Sequence, residues 1–522
     1  MAGKNILLIE PGYRNKYPPL GLMKIAEYHG PRGKGDNVVF VKGEQKEVLE
    51  KSWDRIYVTS LFTFEWAATA KTLDFALKAA QGQADRVFAG GISVSLMKEE
   101  FQEQPKWRGI RFIQGLLDQA PAISLELDDF AEELYSDDVT GTPIEDRVPD
   151  YTILSQLEYV YPVHDAYFVY ASRGCVRKCT FCGVPKLEGD QRDANPLKQV
   201  VTDIQKLHGD KKDLIIMDNN IVASSRFADI IAEIKDLGFA KGDKLRRNGA
   251  TLKRRVDFNQ GVDARILCKN KNYLKLISEI AIDPLRIAFD TIAQRPAYEK
   301  SIRFAHEYGI KDLSNYMLYN YEDSPTDLFR RMYLNIQFNE ELDIRIFSFP
   351  MRYQPVNFRD RSFVGNSWNK YYLRSLQIIL QATHGIVSGS PTFFRKAFGG
   401  DPDEFVRILR MPHHFIFNRF WYEKLGGAPE LEEFQTVYHN TNKDDLEMAL
   451  SRMSSLTPKN RDAFINQVSS SLKPIMEFYR QLPKGVEREI WEKQKKLKQE
   501  KVKFEIDPEK LVEDSGLDEN IW

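Results

Sequence analysis

The stretch SRGCVRKCTFCG, residues 172 to 183, holds three of the four cysteines of this chain of 522 residues. Cys175 and Cys179 are four positions apart, and Cys182 follows three positions later, so one compact loop can direct all three sulfurs to a common centre. Gly174 permits backbone conformations that are closed to other residues. Basic side chains favour thiolates and an anionic cofactor in this loop, and they are Arg173, Arg177 and Lys178.

The chemistry of these thiols leaves two kinds of metal site open. A structural zinc ion normally takes four protein ligands, and the remaining cysteine, Cys268, lies in a different segment, so zinc would need an unrelated fourth ligand. A 4Fe-4S cluster can be held by three thiolates with one iron left for an outside ligand. The count of three cysteines without a fourth favours the cluster.

The spacing Cys-x3-Cys-x2-Cys, with Phe181 before the last cysteine, resembles the signature of the radical S-adenosylmethionine (radical SAM) superfamily. The resemblance implies that Cys175, Cys179 and Cys182 bind a 4Fe-4S cluster and that Phe181 packs near the adenine of SAM. It also implies that SAM chelates the open iron and is cleaved by one electron. The resulting 5′-deoxyadenosyl radical abstracts hydrogen from a substrate that the sequence does not identify, and no catalytic side chain is assigned.

Downstream of the cysteines, strand-like and helix-like segments alternate, as expected for parallel βα units. Six strands are predicted, at residues 166–172, 213–220, 255–264, 285–291, 313–321 and 343–351. They predict a partial (β/α)6 barrel of the TIM type over residues 165–360. Chemistry in such barrels is located at the carboxyl ends of the strands.

Polar residues gather at these predicted strand ends. Resemblance to radical SAM proteins assigns Asp218 and Asn219 to the methionine amino group of SAM. It assigns Gln260, Arg265 and Asp290 to the ribose and the carboxylate. Each of them can also be an ordinary turn residue, because Asp and Asn favour turns.

The amino-terminal segment contains buried-strand runs such as NILLIEPGY (5–13), and it predicts a doubly wound, Rossmann-like domain over residues 1–115. It resembles the cobalamin-binding domain that precedes the barrel in one radical SAM class. The features that carry this resemblance are Pro18, Pro19, Gly21, the sequence TSL at 59–61, and Gly90 with Gly91. The histidine motif that binds cobalamin in some such domains is missing, and Arg14 lies near its place. Cobalamin is therefore a candidate cofactor, with methyl transfer as the reaction it would bring, and packing or substrate binding is the alternative role.

The remaining regions are a linker at 116–164, with an acidic stretch at 126–138, and a mostly helical carboxyl-terminal domain at 361–522. A basic segment, KGDKLRRNGATLKRRVDF (241–258), is predicted as a loop at the amino-terminal side of the barrel, where it is a solvated insertion or a docking surface rather than a catalytic element.

The composition limits the cellular setting. The 74 Lys and Arg residues balance 75 Asp and Glu residues, and the first residues resemble neither a signal peptide nor a membrane span. We expect a cytosolic protein that uses an external electron donor of the flavodoxin or ferredoxin type. The alternative hypothesis is an RNA-binding or RNA-modifying iron–sulfur protein. It rests on the basic patches and on cations interleaved with aromatic residues, namely Arg407, Arg410, Arg419 and Lys424.

Overall fold

The structure is a computed structural model that describes residues 3–117, 142–381, 385–483 and 485–502. The chain divides into two compact units. The first unit comprises residues 1–288, 296–314 and 353–363, and the second unit comprises residues 289–295, 315–352 and 364–522. The predicted acidic stretch at 126–138 lies outside the described residues.

The amino-terminal part of the first unit is built on a parallel sheet of five strands. These are β1 (Asn5–Glu10), β2 (Asn37–Lys42), β3 (Arg55–Ser60), β4 (Val87–Gly91) and β5 (Arg111–Phe112). Their spatial order is β2-β1-β3-β4-β5, one of the common orders of doubly wound sheets. The run from Ile6 to Ile9 is completely buried, because helices cover both faces of such a sheet.

Six further strands follow where the alternating pattern predicts them. They are β6 (Ala166–Val169), β9 (Asp213–Ile216), β12 (Arg255–Asp257), β13 (Leu285–Arg286), β14 (Asp312–Tyr319) and β15 (Arg345–Arg352). In the first unit, β6, β9 and β12 form a parallel sheet in the order β12-β9-β6, and β13 pairs in parallel with the first residues of β14. In the second unit, the rest of β14 lies beside β15. The mixed α/β class with parallel sheets is confirmed.

Two predicted strands are shorter than expected. The strand predicted at 255–264 ends at Asp257, because Asn259 adopts a φ of +56°, which takes the backbone out of the extended region. The strand predicted at 285–291 is regular over Leu285–Arg286, and Ile287 forms one more bridge, to Val262.

The basic segment differs from its prediction, because it forms a hairpin rather than a loop. Strands β10 (Lys244–Arg247) and β11 (Ala250–Lys253) pair antiparallel. Asn248 and Gly249 connect them, with φ values of +52° and +78°. An Asn-Gly pair with two positive φ angles is the preferred connection for a two-residue hairpin turn. A second small antiparallel pair, β7 (Ser172–Arg173) with β8 (Arg192–Asp193), encloses the cysteine loop.

The helices of the first unit connect these strands. They are α1 (Leu20–His29), α2 (Trp66–Ala79), α3 (Ile92–Leu96), α4 (Lys98–Gln102), α5 (Val184–Leu187), α6 (Leu197–His208), α7 (Phe227–Ile234), α8 (Ala264–Leu267), α9 (Asn272–Ile277) and α10 (Arg295–Glu307).

The second unit is mostly helical beyond β15. Its helices are α11 (Pro325–Leu342), α12 (Lys370–Gln381), α13 (Pro391–Phe398), α14 (Pro402–Arg410), α15 (His413–Phe417), α16 (Arg419–Lys424), α17 (Ala428–Asn440), α18 (Lys443–Ser454), α19 (Pro458–Gln467), α20 (Lys473–Met476) and α21 (Val486–Val502). Helix α11 begins with a capping box, in which Ser324 and Asp327 satisfy each other's backbone N–H groups, followed by proline at the first helical position. Its Arg331 is completely buried and donates to the Asp323 carboxylate at 2.8 Å and to the carbonyl of Phe289 at 3.1 Å. None of the helices within the described ranges is long and apolar enough to cross a membrane.

Candidate metal centre

The three clustered cysteines lie on one loop between β7 and α5. The N–H of Cys182 donates to the carbonyl of Cys179 at 3.0 Å, and the N–H of Cys175 donates to the carbonyl of Gly189 at 3.3 Å. These two bonds fold the loop back on itself. Each of the three thiols is half-buried, and none forms a disulfide.

Gly174 is the residue that lets the loop close. Its φ is +74°, and a Cβ at this position would lie 2.1 Å from the carbonyl oxygen of Asp190. Both the backbone angle and the close approach therefore exclude other residues. The expectation that Gly174 serves a conformation closed to other side chains is confirmed.

The carboxylate of Glu188 joins the loop to the end of β9. One of its oxygens accepts the N–H of Gly174 at 2.9 Å and the side-chain amide of Asn219 at 3.0 Å. Its other oxygen lies 3.4 Å from the guanidinium of Arg173, and the Glu188 side chain is 12% exposed. The mostly buried Glu188 carboxylate binds both Gly174 of the cysteine loop and Asn219 after β9. It therefore fixes the distance between the loop and the end of that strand.

Arg173 extends this network toward the amino-terminal sheet. Its guanidinium pairs with Glu145 at 3.0 Å and stacks 3.7 Å above the centre of the Tyr170 ring. Glu145 also pairs with Lys24 of α1 at 2.9 Å. A chain of alternating charges thus runs from α1 to the cysteine loop within the first unit.

Asp218 binds Ala171 and Ser172, which lie just before the cysteine loop. Its two oxygens accept the N–H of Ala171 at 2.7 Å and the hydroxyl of Ser172 at 2.5 Å, and the residue is 1% exposed. Burial raises the pKa of the Asp218 carboxyl to about 7, although the hydrogen bonds from Ser172 and Ala171 lower it. Both oxygens are therefore engaged by the chain itself.

Arg265 is joined to the cysteine loop through Asp263. Its Nε donates to Asp263 at 2.8 Å, and Arg177 of the cysteine loop donates to the same carboxylate at 2.6 Å. The pKa of Arg265 is raised first by its hydrogen bond to Asp263, and also by its charge interaction and hydrogen bond with Cys179. Burial would raise the pKa of Asp263, but the hydrogen bonds from Arg265 and Arg177 outweigh it and hold this pKa below its usual range.

The other predicted site residues have less specific surroundings. Phe181 is half-buried in the loop, whereas Gln260 is exposed in a tight turn where its N–H donates to the carbonyl of Phe258 at 2.6 Å. Asp290 belongs to the second unit, where its N–H donates to Gln294 at 3.0 Å and its carbonyl accepts from Arg331 at 3.1 Å. The contacts described here connect Arg265, Asp218 and Asn219 with the cysteine loop. They do not connect Gln260 or Asp290 with it.

The arrangement of ligands bears on the kind of metal. Across the described ranges, no group of three or more His, Cys, Asp or Glu side chains is arranged to hold a single metal ion. Cys268 is not grouped with the other three thiols among the described residues, and its thiol donates to the carbonyl of Arg265 at 3.5 Å. A cubane cluster takes each thiolate on a different iron, so it does not require the sulfurs to converge on one point. Three half-buried thiols beside Arg265 and Arg177 fit an anionic cluster.

Glu188, Glu145 and Asp263 were not assigned to the site from the sequence. Asp263 lies near the end of the strand predicted at 255–264, which was the available signal. Glu188 is marked by nothing except its position before Gly189, and Glu145 lies 28 residues before its partner Arg173.

A cavity of about 170 Å³ lies at the carboxyl ends of β3 and β4 in the first unit. Its walls include Gly21, Thr59, Gly90, Gly91, Tyr170 and Arg173. An apolar cavity of about 150 Å³ is known to hold benzene, so this one has the size of a single flat ring system. Four of the residues that carried the resemblance to cobalamin-binding domains therefore line one cavity.

The chain was compared with known proteins. No protein-family model matches the sequence, and no curated protein matches it either. Among solved structures, it is similar to the radical S-adenosylmethionine methyltransferase TsrM from Kitasatospora setae, with cobalamin and a [4Fe-4S] cluster bound (12% identity, 68% of this chain and 77% of that chain, TM-score 0.45). It is also similar to the cobalamin-dependent S-adenosylmethionine radical enzyme OxsB (13% identity, 92% and 75% coverage, TM-score 0.47). A third similar structure is SuiB of Streptococcus suis bound to S-adenosylmethionine (12% identity, 51% and 59% coverage, TM-score 0.28).

Proposed function

We propose that this chain is a radical SAM enzyme in which Cys175, Cys179 and Cys182 hold a 4Fe-4S cluster and SAM binds the remaining iron. The observation that carries the proposal is a loop with three half-buried thiols, closed by backbone hydrogen bonds and joined to Arg265 through Asp263, which accepts from both Arg177 and Arg265. When bound, the cluster supplies the single electron that cleaves SAM to a 5′-deoxyadenosyl radical, which abstracts hydrogen from a substrate. An external donor of the flavodoxin or ferredoxin type supplies that electron.

The side chains around the loop bind and orient the cofactors. Arg265 offsets negative charge at Cys179 and is the cation that the SAM carboxylate requires. The Asn219 amide, fixed by its bond to Glu188, presents a carbonyl oxygen to the methionine ammonium. Asp218 positions the cysteine loop indirectly, by hydrogen bonds to Ala171 and Ser172 just before it.

The remaining contacts of SAM follow from the resemblance to radical SAM proteins. We propose that Phe181 packs on the adenine and that Gln260 binds the ribose hydroxyls.

The test of this proposal is SAM cleavage by the full chain, purified without oxygen, reconstituted with iron and sulfide and reduced chemically. We expect 5′-deoxyadenosine from the natural sequence and none from Cys179→Ser. Cys268→Ser is the matched control, because it removes a half-buried thiol outside the loop, and it should retain cleavage. The proposal fails if Cys179→Ser still cleaves SAM or if the control loses cleavage to the same extent.

We also propose that the cavity near Gly90 takes the aromatic base of a corrinoid, since its volume suits one flat ring system rather than a whole macrocycle. Gly90, Gly91 and Thr59 would surround the base, with Arg173 at the end of the cavity nearest to the cysteine loop. When bound, cobalamin would add methyl transfer to the chemistry of the site.

This second proposal is tested by binding of hydroxocobalamin, followed by visible absorption after gel filtration. A Cβ at Gly90 would lie 3.7 Å from its nearest neighbour, so Gly90→Leu fits the backbone and adds a side chain to the cavity wall. It should abolish binding, whereas Ala67→Leu on the exposed surface of α2 should not. Equal binding by both variants would remove the corrinoid from the account and leave SAM cleavage untouched.

A further inference from the structure

The basic hairpin, residues 244–253, presents one face to solvent. Antiparallel pairing places Lys244 opposite Lys253 and Arg246 opposite Thr251, so these four side chains share a face, and all four are exposed. The opposite face carries Leu245, which is buried. The hairpin is therefore attached to the first unit by one side only.

The cations of this segment are sorted between the two faces. On the inner side, Arg247 pairs with Asp165, and Arg254, which follows the hairpin, donates to Asp210 at 2.6 Å. On the outer side, neither Lys244 nor Arg246 forms an ion pair with any residue that the structure describes. The inner pairs hold the hairpin rigid and so fix the positions of the outer cations.

The outer face also carries an unfavourable contact. Lys244 and Lys253 are directly opposite, and like charges in this position destabilise a hairpin. Lys253 has one acidic neighbour, Asp283 at 2.8 Å, but it remains 69% exposed, so the pair gives little stabilisation. Among the residues of the first unit that the structure describes, nothing explains why these cations are together, and an anionic partner would.

We propose that the outer face of the basic hairpin binds the phosphate backbone of a nucleic acid. Lys, Arg and Thr side chains are common donors to phosphate oxygens. The outer face has no apolar or aromatic side chain, whereas protein interfaces depend on such anchors and membrane-surface segments insert them. Its chemistry therefore fits phosphate better than an acidic protein or a lipid surface. This inference is independent of the SAM chemistry proposed above.

The expected binding is weak and depends on salt. Three phosphate contacts to a single strand give a slope of about −2 in log affinity against log salt, from about −0.7 per contact. Affinity should thus fall about 20-fold between about 50 and 200 mM salt.

The experiment measures fluorescence anisotropy of a labelled single-stranded RNA of mixed sequence with the full chain. The test variant is Lys244→Gln/Arg246→Gln/Lys253→Gln, and the control, Lys275→Gln/Lys396→Gln/Lys459→Gln, removes three exposed lysines elsewhere. Circular dichroism checks that both variants fold. We expect the test variant to lose about tenfold or more in affinity at the lowest salt and most of the salt slope, and the control to keep both.

Three results would overturn the inference. They are a natural protein whose RNA affinity lacks the salt slope, a control variant that loses as much affinity as the test variant, and equally tight binding of polyglutamate or anionic lipid vesicles at the same charge concentration. The last result would reassign the face to an acidic protein or to a membrane surface.

Discussion

Removing the Glu188 carboxylate should loosen the cysteine loop in a way that can be measured at one backbone amide. Glu188→Ala deletes the acceptor of the Gly174 N–H and of the Asn219 amide, at 2.9 and 3.0 Å. A hydrogen bond to a charged group contributes about 1.5 to 3 kcal/mol, so losing two of them costs about 3 kcal/mol at the lower limit. That free energy corresponds to an increase of about 150-fold in the population of the open loop.

The assay is hydrogen exchange of the peptide that contains Gly174, measured by mass spectrometry, together with the iron content after reconstitution. Exchange reports local opening, so it does not require the two units to unfold together. Glu188→Gln keeps one acceptor oxygen and should have an intermediate effect. Glu340→Ala is the control, because its partner Arg395 is 3.4 Å away and both side chains are about half exposed. If Glu188→Ala exchanges at Gly174 as slowly as Glu340→Ala does and binds the same amount of iron, the positioning role of Glu188 is refuted.

Three more predictions concern the same loop. Gly174→Ala should abolish iron binding. Gly82→Ala is the control and should keep iron binding, because Gly82 also has a positive φ but nothing lies within 4 Å of an added Cβ. Equal iron contents in the two variants would contradict the role of the close approach at Gly174. Because burial raises the pKa of Asp218 in the folded chain to about 7 from its ordinary value of 3.8, the folded state holds the proton more tightly. Stability therefore falls as pH rises from 3.8 to about 7. Asp218→Asn should remove that part of the pH dependence of the thermal midpoint, and an unchanged profile would show that Asp218 does not titrate there. Arg265→Gln should lower the reduction potential of the cluster by tens of millivolts, because the Arg265 cation interacts with Cys179 and favours the more negative reduced state. The measurement is a redox titration followed by electron paramagnetic resonance, and an unchanged potential would contradict this.

The sequence predicted what local chemistry determines. The cysteine spacing and Gly174 place three thiols on one closed loop, and the alternation of buried runs with amphipathic segments predicted the order of six strands. The Asn-Gly pair at 248–249 is a sequence signal for a hairpin turn. The flanking residues alternate only weakly between apolar and polar, because Leu245 and Leu252 are their large apolar residues, so the pattern did not distinguish two strands from a loop.

The supporting contacts could not be predicted, because they depend on how distant segments approach one another. Glu188 reaches Gly174 across a loop of 14 residues, and Arg173 meets Glu145 across 28. An isolated glutamate carries no pattern that distinguishes such a contact from a solvated side chain. The hydrogen bonds of Asp218 with Ala171 and Ser172 depend on the same approach of distant segments, whereas its assignment to the amino group of SAM came from the resemblance and stays a prediction.

The proposed enzyme depends on three thiolates that hold a 4Fe-4S cluster with one iron open to SAM. The most direct measurement is Mössbauer spectroscopy of the full chain, purified without oxygen and enriched in iron-57, before and after SAM is added. We expect four irons per chain and a change on SAM binding in about a quarter of the signal, since one iron lacks a cysteine. Zinc in place of iron, or a cluster whose spectrum SAM leaves unchanged, would contradict it.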